Sequence, residues 1–428
     1  MEQELSLLWQ RYQSVRSASM LLCEALEVDD LNLQAVPETS PLKWHLAHTT
    51  WFFETFLLKP FQRDYQPFHP QFEYLFNSYY NAVGRQFPRP QRHLLSRPTI
   101  DEVYAYRKEI DARMHDLLSS AKEESKPLQQ RLVLGLNHEQ QHQELMLTDL
   151  KFNWSLNPLY PVYCEAPLPK STPAPVLRFI AQTQGVVEIG HVAQDLSHPD
   201  TFAFDNEGPR HRVWLDDFAI ANRLTTNGEY IEFIEDGGYE TPQWWTSDGW
   251  ATAQNEGWQA PLYWEKQNQK YWHYTLHGMQ PVDPHAPVCH VSLYEALAFA
   301  SWKGMRLCRE SEWEVRASAQ NIAGHFQDLQ CLHPYSQASN NAAHKGSDLT
   351  QLFGDVWEWT QSAYSPYPGY QAAEGALGEY NGKFMMNQMV LRGGSVATPK
   401  DHIRQSYRNF FYPKDRWQFS GIRLAHDG

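Results

Sequence analysis

No stretch of this 428-residue chain approaches the ~20 consecutive apolar residues of a membrane helix, so no membrane span is expected. Basic residues are in the minority, 36 Lys and Arg against 50 Asp and Glu, and a formal charge of -14 argues against a general nucleic-acid binder. Cysteine is scarce: Cys23, Cys164, Cys289, Cys308 and Cys331 are scattered, odd in number and never in CxxC spacing. Neither a disulfide framework nor a zinc knuckle is indicated. Met1-Glu2-Gln3-Glu4 has neither the positive start nor the apolar core of a secretory leader, and no internal repeat is visible. These absences leave a soluble cytoplasmic enzyme of small molecules as the expectation. What is abundant is aromatic: 14% of residues, with 16 Trp, which suggests folded, aromatic-lined interiors. The length allows two or three domains.

Helical spacing organises the first third of the chain. Residues 3–26 place Leu5, Leu8, Tyr12, Val15, Leu22 and Leu26 in step. A second helical stretch runs from about Leu42 to Leu58, with Ser40-Pro41 as an N-cap and first-turn pair. Residues 101–121 carry Val103, Tyr106, Ile110, Met114 and Leu117 in step, and the run from Pro127 to Asn157 is interrupted only by Gly135. With one long connection, residues 59–99, this predicts a four-helix bundle over 1–156. Residues 157–176 are rich in proline (Pro158, Pro161, Pro167, Pro169, Pro173, Pro175) and read as a stiff linker. From 177 to 428 short β-type runs, such as Gly185–Gly190 and Arg212–Leu215, alternate with loops. Helices are expected there around Leu293–Lys303 and from Glu310, giving an irregular α+β domain.

The chemistry concentrates in Asn137-His138-Glu139-Gln140-Gln141-His142-Gln143-Glu144-Leu145. Two His four apart on a helix can reach one point, as a divalent metal requires, although the same pattern fits a solvated polar face. In the second helical stretch His45 and His48 sit among Trp44, Trp51, Phe52 and Phe53. One of them could supply a third ligand from a facing helix, or both could be core histidines bonded to carbonyls. Gln141 shares the face of His138 and His142, and Glu144 points to another flank. The long loop holds Ser78-Tyr79-Tyr80 followed by Arg85, Arg89 and Arg92, which suits binding of an anionic amino acid and handling of a proton. Near the C-terminus, Arg408-Asn409-Phe410-Phe411 and Arg416-Trp417 form another aromatic and basic cluster.

Together these residues resemble the sulfoxide synthases of ergothioneine biosynthesis. The signatures are Trp44-His45-Leu46-Ala47-His48-Thr49-Thr50-Trp51-Phe52-Phe53-Glu54, Ser78-Tyr79-Tyr80, and His138-xxx-His142-x-Glu144. In the second half they are Leu224-Thr225-Thr226-Asn227-Gly228-Glu229-Tyr230, Arg309-Glu310-Ser311-Glu312-Trp313-Glu314, Gly354-Asp355-Val356-Trp357-Glu358-Trp359 and Leu391-Arg392-Gly393-Gly394-Ser395. The resemblance implies a DinB-like four-helix bundle fused to a formylglycine-generating-enzyme-like domain of C-type-lectin fold. It implies Fe(II) held by His48, His138 and His142, with His45 structural. The implied reaction couples the sulfur of cysteine or γ-glutamylcysteine to C2 of the imidazole of hercynine, using O2 and leaving a sulfoxide. By family position Gln141 holds the imidazole, while Asn409 and Phe410 line the hercynine pocket.

This sequence departs from the family at the sulfur donor. Relatives that use γ-glutamylcysteine carry an Asp two positions after this Asn and an Arg four further on. Here Phe411 and Asp415 occupy those positions, with the Arg displaced to Arg416. Desolvating a glutamyl ammonium against Phe411 is costly, so free cysteine is the expected donor, with Arg85 or Arg89 as carboxylate anchors. The family also uses a tyrosine as proton donor. Tyr364, Tyr367, Tyr370 and Tyr380 are candidates from the second domain, and Tyr79 and Tyr80 are their rivals from the first. Alternatives are γ-glutamylcysteine as donor, a related ovothiol or selenoneine synthase, and, in another class, a DinB-like thiol-dependent metal transferase.

Overall fold

Leu8, Tyr12 and Val15 are the apolar residues buried by the first helix, α1 (Glu2–Leu21). Their spacing of three and four sets one stripe towards a core. Helix α2 (Leu42–Phe53) has no outer face, since all twelve of its residues are buried. A helix buried on every side belongs at the centre of its domain, and α2 packs against both α3 (Ile100–Ser120) and α4 (Lys126–Ser155). Helix α3 buries Val103, Tyr106, Arg107, Ile110, Met114 and Leu118, again at intervals of three and four. The structure, a computed structural model, describes residues 2–120, 125–192, 199–337 and 349–428.

Two local details fix how these helices meet. A Cβ added at Gly135 of α4 would lie 2.7 Å from Cε1 of Phe53 and 3.1 Å from Cε1 of Phe52. Glycine lets α4 approach α2 where any side chain would hold it off. One turn further along, Glu139 is fully buried and accepts from Arg16 at 2.9 Å, Arg107 at 2.9 Å and Ser19 at 2.7 Å. That carboxylate ties α4 to α1 and α3. Ser40 does not cap α2: Pro41 holds the N-cap position, while the Ser40 N–H donates to Asp149 at 2.8 Å and its hydroxyl accepts from Arg92 at 2.8 Å. Beyond Phe53 the chain passes through a π turn, Glu54–Leu58, into the long connection. There Asn77 exchanges hydrogen bonds with the backbone of Tyr80, closing the turn that carries the paired tyrosines.

The polypeptide divides into two compact bodies. The first comprises Met1–Asn157 together with Ala193–Asp205 and Gln371–Gly382. The second holds Pro158–Val192, Asn206–Tyr370 and Lys383–Gly428. The two excursions into the first body come from within 177–428, and each includes a short 3-10 helix, Pro199–Thr201 in the first and Gly375–Glu379 in the second. They are held by side chains: Glu379 accepts the N–H groups of Asn81 and Ala82 at 3.0 and 2.7 Å, Asn381 donates to Asp205 at 2.6 Å, and Phe204 stacks on Tyr380.

The second body is built from small sheets. One has four antiparallel strands in the order Phe179–Gln182, Phe218–Ala221, Leu424–Asp427, Arg306–Leu307. Another runs Asn409–Phe411, Met389–Arg392, Trp357–Ala363, Ser420–Gly421, with the last pair parallel. Between them Arg423 donates to both oxygens of the buried Glu358 at 2.8 Å, and Trp313 adds a third bond. The anticipated helices appear as Leu293–Trp302 and Glu310–Ser318, and two more occur at Asn227–Glu235 and Ser247–Asn255. The third of these opens on a capping box of Thr226 and Glu229, a T-x-x-E signal already present in the sequence. The proline-rich stretch lies against this body along its length: Tyr163 N–H bonds Leu276, Thr172 N–H bonds Ser336, and Pro175 accepts from Arg223. Among the described residues no helix is long and apolar enough to cross a membrane.

Candidate metal centre

Helices α2 and α4 bring His48, His138 and His142 together, with one ligand-type atom of each within 4.8 Å of the others. All three are buried. Burial, reinforced by the neighbouring imidazoles, holds His48 and His142 well below the usual histidine range. Burial likewise pushes His138 down to about 3. Three neutral imidazoles therefore present lone pairs at physiological pH, the state a metal requires. The Phe76 carbonyl accepts from His48 Nδ1 at 2.6 Å, which leaves His48 Nε2 without a hydrogen, 3.2 Å from His138 Nε2. His142 Nδ1 lies 2.8 Å from Nδ1 of His45. Lone pairs converging in a buried space fit a divalent cation with three protein ligands and open positions.

Aromatic rings wall this centre within the first body. Trp44 stacks on His48 at 4.6 Å and Trp51 does so at 5.4 Å. Phe52 lies 4.6 Å from His138. The Tyr380 ring meets His138 edge-on at 5.6 Å, and its hydroxyl donates to Oε1 of Gln141. Tyr79 stands further out, 6.5 Å from Tyr380, and stacks on Tyr80. Burial raises the pKa of both Tyr79 and Tyr80, so these phenols stay protonated.

Of the loop arginines, Arg85 and Arg89 are exposed; Arg89 donates to the Glu38 carbonyl. Arg92 is different. It is 2% exposed, its guanidinium lies 3.3 Å over the Trp44 ring, and among the described residues its donors meet the hydroxyls of Ser40 and Ser78, at 2.8 and 3.3 Å. Among the described residues it forms no salt bridge with a carboxylate. In the sequence Arg92 stands beside Arg85 and Arg89 with nothing to distinguish it.

The chain has detailed counterparts among known proteins. Residues 11–146 match the DinB superfamily, and residues 169–428 match the sulfatase-modifying factor enzyme 1-like domain. Hercynine oxygenase of Mycolicibacterium smegmatis is 32% identical over 94% of this chain and 95% of its own. That of Mycobacterium tuberculosis is 31% identical over the same shares. This chain belongs to the hercynine oxygenase family. Ergothioneine biosynthesis protein 1 of Schizosaccharomyces pombe is 27% identical over 52% of this chain and 27% of its own.

In this member of the family, Asn409, Phe410 and Phe411 form a strand of the second body. Phe410 stacks on Tyr364 at 4.0 Å, and Asn409 Oδ1 accepts the N–H of Phe410. Phe411 meets Trp417 edge-on. Asp415 is buried and accepts the N–H of Tyr412, while Arg416 donates to Glu295 at 3.1 Å and lies 4.0 Å over Trp258.

Proposed function

We propose that this protein joins the sulfur of free L-cysteine to C2 of the hercynine imidazole at an iron(II) held by His48, His138 and His142. One S–H and one C–H bond break, a C–S bond and an S–O bond form, and O2 is consumed, with its second oxygen leaving as water. The convergence of three neutral, buried imidazoles on one point carries this reading. When bound, the metal supplies a Lewis acid and one-electron chemistry beside open positions for thiolate and O2.

The residues around it have distinct proposed tasks. Gln141, aimed by the Tyr380 hydroxyl, orients the substrate imidazole. Tyr380 is the proton donor: it is the tyrosine whose ring meets a ligand histidine, whereas Tyr79 lies behind it. Arg92 anchors the cysteine carboxylate in preference to Arg85 or Arg89, because a buried cation facing only hydroxyls is suited to an incoming anion. The part of Asn409 and Phe410 in binding hercynine rests on the family resemblance.

The donor assignment is supported by the second body. Phe411 offers no carboxylate, Asp415 is committed to its own turn, and Arg416 is neutralised by Glu295. A glutamyl group would bring an ammonium and a carboxylate to positions that lack free counter-charges. Five free thiols agree with a cytoplasmic setting for the reaction. The test is aerobic turnover of the Fe(II) protein with hercynine and each thiol. Sulfoxide from cysteine at an efficiency well above that from γ-glutamylcysteine is the expected result. Sulfoxide from γ-glutamylcysteine alone refutes the donor, and no O2 uptake with either thiol refutes the reaction.

A further inference from the structure

Two buried residues that touch no open position of the metal centre are joined to it in series. His45 Nε2 lies 3.0 Å from Oδ2 of Asp149, and His45 Nδ1 lies 2.8 Å from His142 Nδ1. The same Asp149 oxygen accepts the Ser40 N–H at 2.8 Å. His45 and Asp149 are each no more than 2% exposed.

Hydrogen counting along this line gives a single answer. A carboxylate only accepts, so His45 Nε2 carries the hydrogen. Neutral imidazole has one N–H, which leaves His45 Nδ1 as a lone pair. The short contact between the two Nδ1 atoms needs one hydrogen, which must then sit on His142. The remaining lone pair of His142 is therefore at Nε2.

We propose that Asp149 and His45 are positioning residues that lock His142 in its Nδ1–H tautomer and give it a carboxylate-backed support that the other two metal ligands do not share. The other ligands are backed differently. His48 leans on a neutral carbonyl, that of Phe76, and His138 Nδ1 is buried with no hydrogen-bond partner among the described residues. A carboxylate-backed imidazole donates more strongly than a carbonyl-backed one, and loss of such support typically weakens metal binding about 10–100-fold. The relay also reaches the substrate side, because Ser40 links Asp149 to Arg92 through its N–H and its hydroxyl. The proposal rests on the metal centre of the proposed function.

The sequence pattern that places these groups is compact. His138, His142 and Asp149 recur on α4 at intervals of four and seven, one stripe of the helix, and His45 and His48 lie one turn apart on α2. The first pair of ligands, the outer carboxylate and the intermediary thus come from two helices that already pack together.

The test uses the full chain, Co(II) titration, and ring-nitrogen NMR of the metal-free protein labelled at histidine. His45→Leu removes the intermediary. His45→Gln replaces it with an amide that can donate to Asp149 and accept from His142. Asp149→Asn keeps a hydrogen-bond acceptor and removes the charge. We expect Co(II) affinity to fall about 10–100-fold in His45→Leu, to fall less in Asp149→Asn, and to recover to within a few-fold of the parent in His45→Gln. The His142 signals should shift from pure Nδ1–H to a tautomer mixture in His45→Leu alone. If His45→Leu does not fold, the contrast between His45→Gln and Asp149→Asn decides. Parental affinity with unchanged His142 tautomer in the variants that break the line overturns the relay while leaving the metal centre intact. Parental affinity in His142→Ala overturns the metal centre and the relay with it.

Discussion

Tyr364 and Tyr367 have their hydroxyls engaged inside the second body, the first by Asn206 and the second by Arg392 and Glu310. Tyr380 instead presents its ring to His138 and its hydroxyl to Gln141. Phenols of one chemical type thus fall into different roles through their neighbours. Tyr380→Phe should lower kcat about 100-fold or more while leaving metal affinity at the parental value, since a positioned proton donor contributes on that order. Parental kcat in Tyr380→Phe, combined with its loss in Tyr79→Phe or Tyr80→Phe, would return the role to the paired tyrosines. Arg92 is the corresponding case for charge. Arg92→Met should raise KM for cysteine roughly 10–100-fold, the equivalent of a lost charge-assisted hydrogen-bonding contact, with little change for hercynine. An unaltered KM for cysteine counts against the anchor.

Helix α4 carries two of the three proposed metal ligands, His138 and His142, together with features that hold them still. Gly135 costs the helix about 1 kcal/mol relative to alanine, yet a Cβ there overlaps Phe53 at 2.7 Å. Overpacking costs ~1–3 kcal/mol, so Gly135→Ala should destabilise on balance by up to ~2 kcal/mol, seen as a lower thermal midpoint. A raised midpoint would mean that the phenyl ring moves aside freely. Glu139 acts on the opposite flank. Burial by itself would raise its pKa, but Arg16 and Arg107 outweigh that and hold it down to about 2. An unfolded glutamate titrates near ~4.3, so this contribution to stability is fully present above that value and is lost as pH falls towards 2. Glu139→Gln should remove that part of the acid sensitivity and destabilise by ~3–5 kcal/mol at neutral pH, because the buried Arg107 loses its counter-charge and Arg16 is left with Asp111 alone. Comparing the pH dependence of chemical denaturation in parent and variant checks both parts.

At the scale of the molecule, ligand binding and folding are linked through the first body, where the three histidines are buried. A metal at about 100 times its Kd stabilises the folded state by ~2.7 kcal/mol, so the thermal midpoint should rise on adding Fe(II) anaerobically and return with chelator. A midpoint insensitive to metal would contradict the site. The same body also contains Gln371–Gly382, far away in the chain from the bundle. Its one tyrosine, Tyr380, reaches the centre because Glu379 and Asn381 on either side are bonded to Asn81, Ala82 and Asp205.

The bundle helices were readable from the sequence because burial on one face of a helix imposes a period that the side chains must follow. The His-xxx-His pair was readable for the same reason, since one turn of α4 fixes both imidazoles by backbone geometry alone. The resemblance of motifs across both halves added the third ligand and the reaction. What the sequence could not rank was anything decided by contacts between distant segments: the burial of Arg92 against the exposure of Arg85 and Arg89, the approach of Tyr380 to His138, and Asp149 behind His45. These choices depend on which polar groups are dehydrated together, and dehydration is a property of packing in three dimensions rather than of local order.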